Sequence, residues 1–446
     1  MLPRLKNLSP LFVLLLTLSL SPARTWTDAA SGRTIEADFL SANNTTVTLK
    51  RTADGKEFTL PLERLSQEDR AFIQSKISPP EPPTPGRSPL PKAAPDSYED
   101  LRDSISRESL PITGDSDPNF TALDDVIAEF MVEKQIAALV VAVSKDGKIL
   151  YDKAFGFQDA DLKDPLQPGT IMRLASVSKP VTAAALNHLI AAGDLKPDDL
   201  VFDKLELDSV ASSNLDPRWK EITVDHLRYH MGGCDRDISG DPMARLPEIA
   251  NEQNVDVDKI EFSDLLNYML EQPLDFTPGE REAYSNFGYN LIVHLIEKVS
   301  GKSYTEYLNE TVAATAGTAT LAPGRTELDN RPDGETWYHL HPEYDREVSP
   351  DPQRMEVRAG SGAMVSSAAD YCRFLENYWI SGDPRKPGQR AGYTFYGSLP
   401  GTTAVAVQRP DGINFTAIAN RRDKAGSDWN KELKNAIDMA ISAIEP

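Results

Sequence analysis

Apolar and polar positions alternate with different periods in different parts of the chain. From residue 24 to about 75 the period is two. Residues 34–40 alternate imperfectly, Thr46-Val47-Thr48-Leu49-Lys50 does so clearly, and Glu57-Phe58-Thr59-Leu60 follows. Asp54-Gly55 between the last two is a hairpin signal, because glycine tolerates the positive φ of such turns. Further turns are expected at 28–32 and at Asn43-Asn44. Ser66 is expected to cap a short helix, with Asp69 returning the bond. This pattern predicts a small twisted sheet or barrel, with Trp26 in its core or at its edge. Near Phe120 the period becomes helical, through Leu123, Val126, Ile127, Phe130 and Met131, and Thr121 with Asp124 can form a capping box. An apolar strand over 138–143 turns at Lys145-Asp146-Gly147-Lys148 and returns over 149–155. The C-terminal end mirrors this, with strands over 402–408 and 413–419 joined by Arg409-Pro410-Asp411-Gly412. Leu433, Ile437, Ala440, Ile441 and Ile444 then stripe a terminal helix. Strands at both ends and helical sequence between them predict an α+β domain whose antiparallel sheet is closed by the two ends, with a helical region inserted.

Two segments fit neither period. Residues 1–23 read as a signal peptide: Arg4 and Lys6, an apolar run over 11–20, then small residues at Ser21-Pro22-Ala23. Such a run is about half the length that spans a bilayer, which favours cleavage over anchoring and predicts export to the periplasm or outside the cell, with no membrane span afterwards. Residues 76–118 are expected to be a linker, proline-rich to about 97, where eight prolines fall between Pro79 and Pro95, and irregular from 98. Proline lacks a donor and fixes φ, so the tract favours extended chain. The domains are then 24–75 and 119–446. The formal net charge of −21 argues against a nucleic-acid partner, which is held by clustered Lys and Arg. Cys234 and Cys372 lack metal-ligand spacing.

The chemistry is in the inserted region. Leu174-Ala175-Ser176-Val177-Ser178-Lys179-Pro180 precedes a helical run. A spacing of three puts Ser176 and Lys179 on one helix face, at an N-terminus whose free amides favour negative charge. A hydroxyl needs a base to become nucleophilic, and a lysine needs burial or positive neighbours to serve as one. Further on, Ala283-Tyr284-Ser285-Asn286-Phe287-Gly288-Tyr289 follows the turn Phe276-Thr277-Pro278-Gly279-Glu280.

These stretches, with Ile171-Met172-Arg173 before the serine and Gly193-Asp194-Leu195-Lys196-Pro197 after its helix, resemble the β-lactamase-related serine hydrolases, which include class C β-lactamases, penicillin-binding proteins and esterases. The resemblance runs from about 120 to 445. It implies that Ser176 is the acylated nucleophile, Lys179 its partner, Tyr284 a proton relay beside it and Asn286 a residue opposite Lys179. On this reading positive charge on Lys179 favours the Tyr284 phenolate, and the two are a coupled pair whose proton is assigned to neither residue. The resemblance also implies an oxyanion hole from the backbone amides of Ser176 and Ser398. The third motif departs from the family. Phe395 stands where Lys or His is usual and Tyr396 where a small residue is usual, while Gly397 keeps the glycine. Phe395, Tyr396 and Gly397 are expected to line the substrate pocket, with the glycine letting the strand approach the substrate. Loss of the cation disfavours β-lactam turnover and carboxypeptidase action and favours a small ester or amide. The alternative is an impaired or penicillin-binding envelope protein without significant turnover.

His230-Met231-Gly232-Gly233 resembles the family's loop near the site, and His230 is expected to pin it. Gly360-Ser361-Gly362 resembles the family's scaffold turn. His226 and His230 can share a helix face, but no third ligand is near, so neither a metal nor a cofactor is expected. Residues 24–75 resemble SLA1 homology domain 1, through Arg24-Thr25-Trp26-Thr27-Asp28, Asp54-Gly55-Lys56 and Leu65-Ser66-x-x-Asp69. That implies an SH3-like interaction module with an envelope or protein partner and no chemistry.

Overall fold

A computed structural model describes residues 24–29, 31, 33–42, 46–77, 104–209, 214–327, 330–340, 354–424 and 428–444. The leader, the turn at Asn43-Asn44 and the proline tract lie outside them. The chain divides into two units, 1–88 and 89–446.

In the first unit, β1 (Arg24–Thr27), β2 (Thr34–Ala42), β3 (Thr46–Arg51) and β4 (Glu57–Pro61) form an antiparallel sheet in sequence order. Asp28 bridges Leu65 and starts to close it. Trp26 is in the core with Ala37, Val47, Leu49 and Leu65, and its indole N–H donates to the Ala37 carbonyl at 2.9 Å. Ser66 caps α1 (Gln67–Ile77) by accepting from the Asp69 amide. Asp69 does more than return that bond. Its buried carboxylate accepts from the Thr27 amide at 2.8 Å and from Arg24 at 3.0 Å, so it ties the helix to β1.

The second unit is built on a six-stranded antiparallel sheet. Its strands are β5 (Ile112–Ser116), β6 (Ala138–Lys145), β7 (Lys148–Gly156), β11 (Tyr393–Leu399), β12 (Thr402–Gln408) and β13 (Ile413–Ala419), in the order β11-β12-β13-β6-β7-β5. The two chain ends meet where β6 pairs with β13. Side chains alternate across the sheet. Leu139, Val141 and Val143 face a core that includes α2 (Ala122–Lys134) and α6 (Asp428–Ile444). Ala138, Val140 and Ala142 face a larger core. It holds α3 (Ser178–Ala192), α4 (Asn286–Ser300), α5 (Ala368–Asn377) and the inserted helical region. A small sheet of β8 (Met172–Arg173), β9 (Ala322–Pro323) and β10 (Met364–Ser366) supports the start of α3.

Two expectations are corrected. The segment 98–118 is not irregular to its end: β5 pairs with β7, and Ile105 and Leu110 are buried. A short, polar edge strand carries almost no periodic signal. Thr121 makes no side-chain cap on α2. Asp124 instead accepts from the Tyr151 hydroxyl at 2.7 Å and from the Lys153 ammonium at 2.6 Å, charge-assisted bonds stronger than a helix cap.

Candidate active site

Ser176 lies half-buried in the tight turn Ala175–Val177, between β8 and α3. Ala175 has φ of 48°, a left-handed conformation that costs an L-residue about 1–2 kcal/mol and is held only by its surroundings. β11 supplies part of them. A Cβ on Gly397 would lie 2.3 Å from the Leu174 carbonyl oxygen and 3.2 Å from the Ser176 amide nitrogen. The glycine is therefore needed for the approach of the nucleophile's own turn, which corrects the expectation that it makes room for substrate.

Lys179, one turn on, is buried to 1% exposure. Its Nζ donates to Asn286 Oδ1 and to the Ser361 carbonyl, both at 2.6 Å. It lies 4.6 Å from the centroid of the Tyr284 ring and 5.7 Å from that of Tyr289. The Tyr284 hydroxyl donates to Ser176 Oγ at 2.9 Å. Ser285 caps α4 by accepting from the Gly288 amide, which fixes Tyr284 just outside the helix and Asn286 at its first turn. Ser176, Lys179, Tyr284 and Asn286, two pairs more than 100 positions apart in sequence, meet in one cluster.

The electrostatics differ from expectation. Burial pushes Lys179 well below the usual lysine range; Asp241 opposes this, and Arg236 and Arg358 add to it. Burial raises Tyr284 to about 12, against the Ser176 hydrogen bond and the Arg236 charge. Near neutrality Tyr284 is therefore a phenol and not a phenolate, and Lys179 beside it gives up its proton more readily than an ordinary lysine. A neutral amine has two N–H donors and one lone pair. Asn286 and Ser361 take both donors, which leaves the lone pair to accept a proton. The cation against the Tyr284 ring is Arg236, at 4.6 Å.

Several participants had no local signal. Asp241 accepts from Asn286 Nδ2 at 2.5 Å and orients the amide that holds Lys179. Asn290 Oδ1 accepts from the amides of Gly360 and Ser361, each at 3.1 Å, and so aims the Ser361 carbonyl. A Cβ on Gly360 would lie 2.3 Å from the Tyr289 carbonyl oxygen, whereas one on Gly362 would make only ordinary contacts. His230 stands at φ of 57°, accepts from the Ser285 amide at 3.2 Å and packs 4.7 Å from Tyr284 and 4.9 Å from Tyr289. Burial lowers its pKa to about 3, so it is a neutral spacer. His226 caps its own short helix. The described residues hold no cluster of His, Cys, Asp and Glu suited to a metal.

The strand wall is divided. Phe395 packs on the core that contains α3, and Tyr396 on the opposite core with α2 and α6. Tyr396 is thus not on the pocket side with Phe395 and Gly397. Ser398 pairs with Thr403 on the neighbouring strand, and its hydroxyl is buried without a hydrogen-bond partner.

The sequence profile of the Beta-lactamase family matches residues 123–421. The chain belongs to that family. A second profile, SLA1 homology domain 1, matches residues 19–78, in keeping with the small β-rich first unit. Esterase EstB of Burkholderia gladioli is 26% identical to this β-lactamase-family chain over 196 residues, 44% of this chain and 49% of EstB. Protein flp of Staphylococcus aureus (strain MW2) is 26% identical over 42% of this chain and 35% of its own length. The chain thus spans about half or less of the curated relatives it matches. Among solved structures, the octameric penicillin-binding protein homologue from Pyrococcus abyssi is 22% identical with a TM-score of 0.54, covering 72% of this chain and 77% of the other. D-amino acid amidase from Ochrobactrum anthropi SV3 is 18% identical with a TM-score of 0.54, covering 73% and 98%. At these identities the likeness is one of fold.

Proposed function

We propose that the second unit is a serine hydrolase that works through an acyl-enzyme on Ser176, with a small ester as the favoured substrate. The observation that carries this is the 2.9 Å contact between the Tyr284 hydroxyl and Ser176 Oγ beside the buried Lys179 amine. Ser176 Oγ attacks the acyl carbon. Its proton passes to the Tyr284 oxygen as the Tyr284 proton passes to Lys179; the two residues act as a coupled pair. The pair returns a proton to the departing alkoxide as its C–O bond breaks. Water then attacks the acyl-enzyme by the same path in reverse, releasing acid and free Ser176. The amides of Ser176 and Ser398 are the proposed oxyanion donors, each commonly worth about 3–4 kcal/mol of barrier. The similarity to Esterase EstB supports the ester class.

Phe395 favours a second reading, a protein that acylates without turning over, because an apolar ring fills the expected place of a cation. The test is mass spectrometry with a p-nitrophenyl ester and a labelled β-lactam. An acyl adduct on the protein that disappears in Ser176→Ala, with steady release of p-nitrophenol, is the expected result. An adduct without release supports the second reading, and absence of any adduct sinks both. Export through residues 1–23 and a protein partner for the first unit are part of the proposal. Among the described residues no helix is long and apolar enough to cross a membrane.

A further inference from the structure

Beside Ser176, burial keeps Tyr284 a phenol and His230 a neutral imidazole near neutrality, and it lowers the pKa of Lys179. The formal charges around them belong to Asp241, Arg358 and Arg236. Arg358 is half-buried, donates to the Met243 carbonyl and feels Asp241. Asp241 itself accepts from Asn286. Arg236 differs from both. Its side chain is 48% exposed, its guanidinium lies 4.6 Å over the Tyr284 ring, and among the described residues its one ion contact is to the outer carboxylate of Asp237, itself 90% exposed, at 4.0 Å. Asp235, next to it in sequence, is committed to Arg281 at 2.7 Å and to the Asp237 amide. A guanidinium offers five donors in a planar fork that matches a carboxylate. Here that fork stands at Tyr284 with no carboxylate of the described residues in hydrogen-bond range. The strand wall adds no cation, since Phe395 packs there.

Resting on the hydrolase reading above, we propose that Arg236 is a substrate-recognition residue, and that the ester cleaved at Ser176 carries a carboxylate close to its scissile bond. The net charge of −21 does not oppose this. Charges beyond about 8 Å are largely screened at physiological ionic strength, whereas a contact with Arg236 is not. The ring of Tyr284 beneath the guanidinium gives it a fixed seat, since cation–π packing holds Arg flat on an aromatic face.

The test compares three chromogenic or ultraviolet-monitored esters: neutral p-nitrophenyl acetate, p-nitrophenyl hemisuccinate with its anion on the acyl side, and 3-acetoxybenzoate with its anion on the leaving group. Relative to reactivity with hydroxide, one anionic ester is expected to be preferred by about ten- to hundredfold in kcat/KM, the usual worth of a charge-assisted hydrogen bond. Which ester is preferred locates the carboxylate. In Arg236→Gln that preference is expected to vanish, chiefly through KM. In Arg236→Lys part of it should return, and added salt should erode it. If p-nitrophenyl acetate acylates Ser176 but neither anion is preferred, or if Arg236→Gln keeps the preference, the inference is overturned and the hydrolase reading stands. If no ester acylates Ser176, both fall together.

Discussion

The two walls around Ser176 are built on opposite principles. On the helix wall, hydrogen bonds link Lys179 to Asn286 and Asn286 to Asp241, and the Tyr284 hydroxyl bonds Ser176, so each of these polar groups has a partner. On the strand wall, β11 brings Phe395 and Gly397, an apolar ring and a missing side chain. Satisfied polar networks are rigid, because each member is held by its neighbours. On the proposed mechanism the helix wall would carry the proton chemistry and the strand wall would set the shape and charge that meet the substrate.

The sharpest way to break this contrast is to remove the amine. Lys179→Met is expected to lower kcat/KM by about 10²–10⁴, the range for a lost general base. It also has a stability signature. Burial depresses the folded-state pKa of Lys179, so above that value the unfolded chain binds a proton that the folded chain refuses. Stability therefore rises with pH from the depressed value up to the unfolded one, by at most about 1.4 kcal/mol per pH unit. That increment should be missing in Lys179→Met when urea unfolding of the two proteins is compared across the range. A variant with activity within a few fold of the parent would remove Lys179 from the proton path.

The strand wall predicts a smaller loss. Gly397→Ala places a methyl 2.3 Å from the Leu174 carbonyl oxygen, so β11 must retreat from the turn that carries Ser176. Overpacking of this kind costs about 1–3 kcal/mol. We expect a matching fall in urea stability and about a tenfold to hundredfold fall in acylation rate, with the Lys179 pH dependence retained. An acylation rate equal to the parent's would mean that β11 does not support the nucleophile.

These contrasts also explain what the sequence reveals. Ser176, Lys179, Tyr284 and Asn286 are legible because they fall in short contiguous stretches that resemble the family's motifs, although α3 starts without a side-chain cap and Tyr284 precedes α4. The sheet is legible from its apolar alternation at both chain ends. Asp241 and the Ser361 carbonyl are not: one is a loop carboxylate with no periodic context, and the other is backbone, which every residue has. Charge is misread for a related reason. The motifs put Lys179 near Tyr284, but only burial shows that the pKa of the amine falls while that of the phenol rises. The side of Tyr396 was available, however. If Phe395 and Gly397 face the site, period two sends Tyr396 the other way.

His230 gives the mildest test, because it touches the helix wall without moving protons. Burial holds its pKa at about 3, with Lys179 and Arg236 adding to the effect, against about 6.5 in an unfolded chain. As pH falls from 6.5 toward 3, the unfolded state takes up a proton that the folded state resists. The native state therefore loses stability across that window by at most about 1.4 kcal/mol per pH unit, and gains nothing from His230 above it. His230→Gln removes the titration, and its side-chain carbonyl can still accept from the Ser285 amide. Its acid unfolding midpoint is expected to shift to lower pH relative to its own stability at neutrality, with kcat/KM near pH 7 reduced by only a few fold. An unchanged midpoint together with a thousandfold loss of activity would instead put His230 in the proton path, and the helix wall would no longer end at Tyr284.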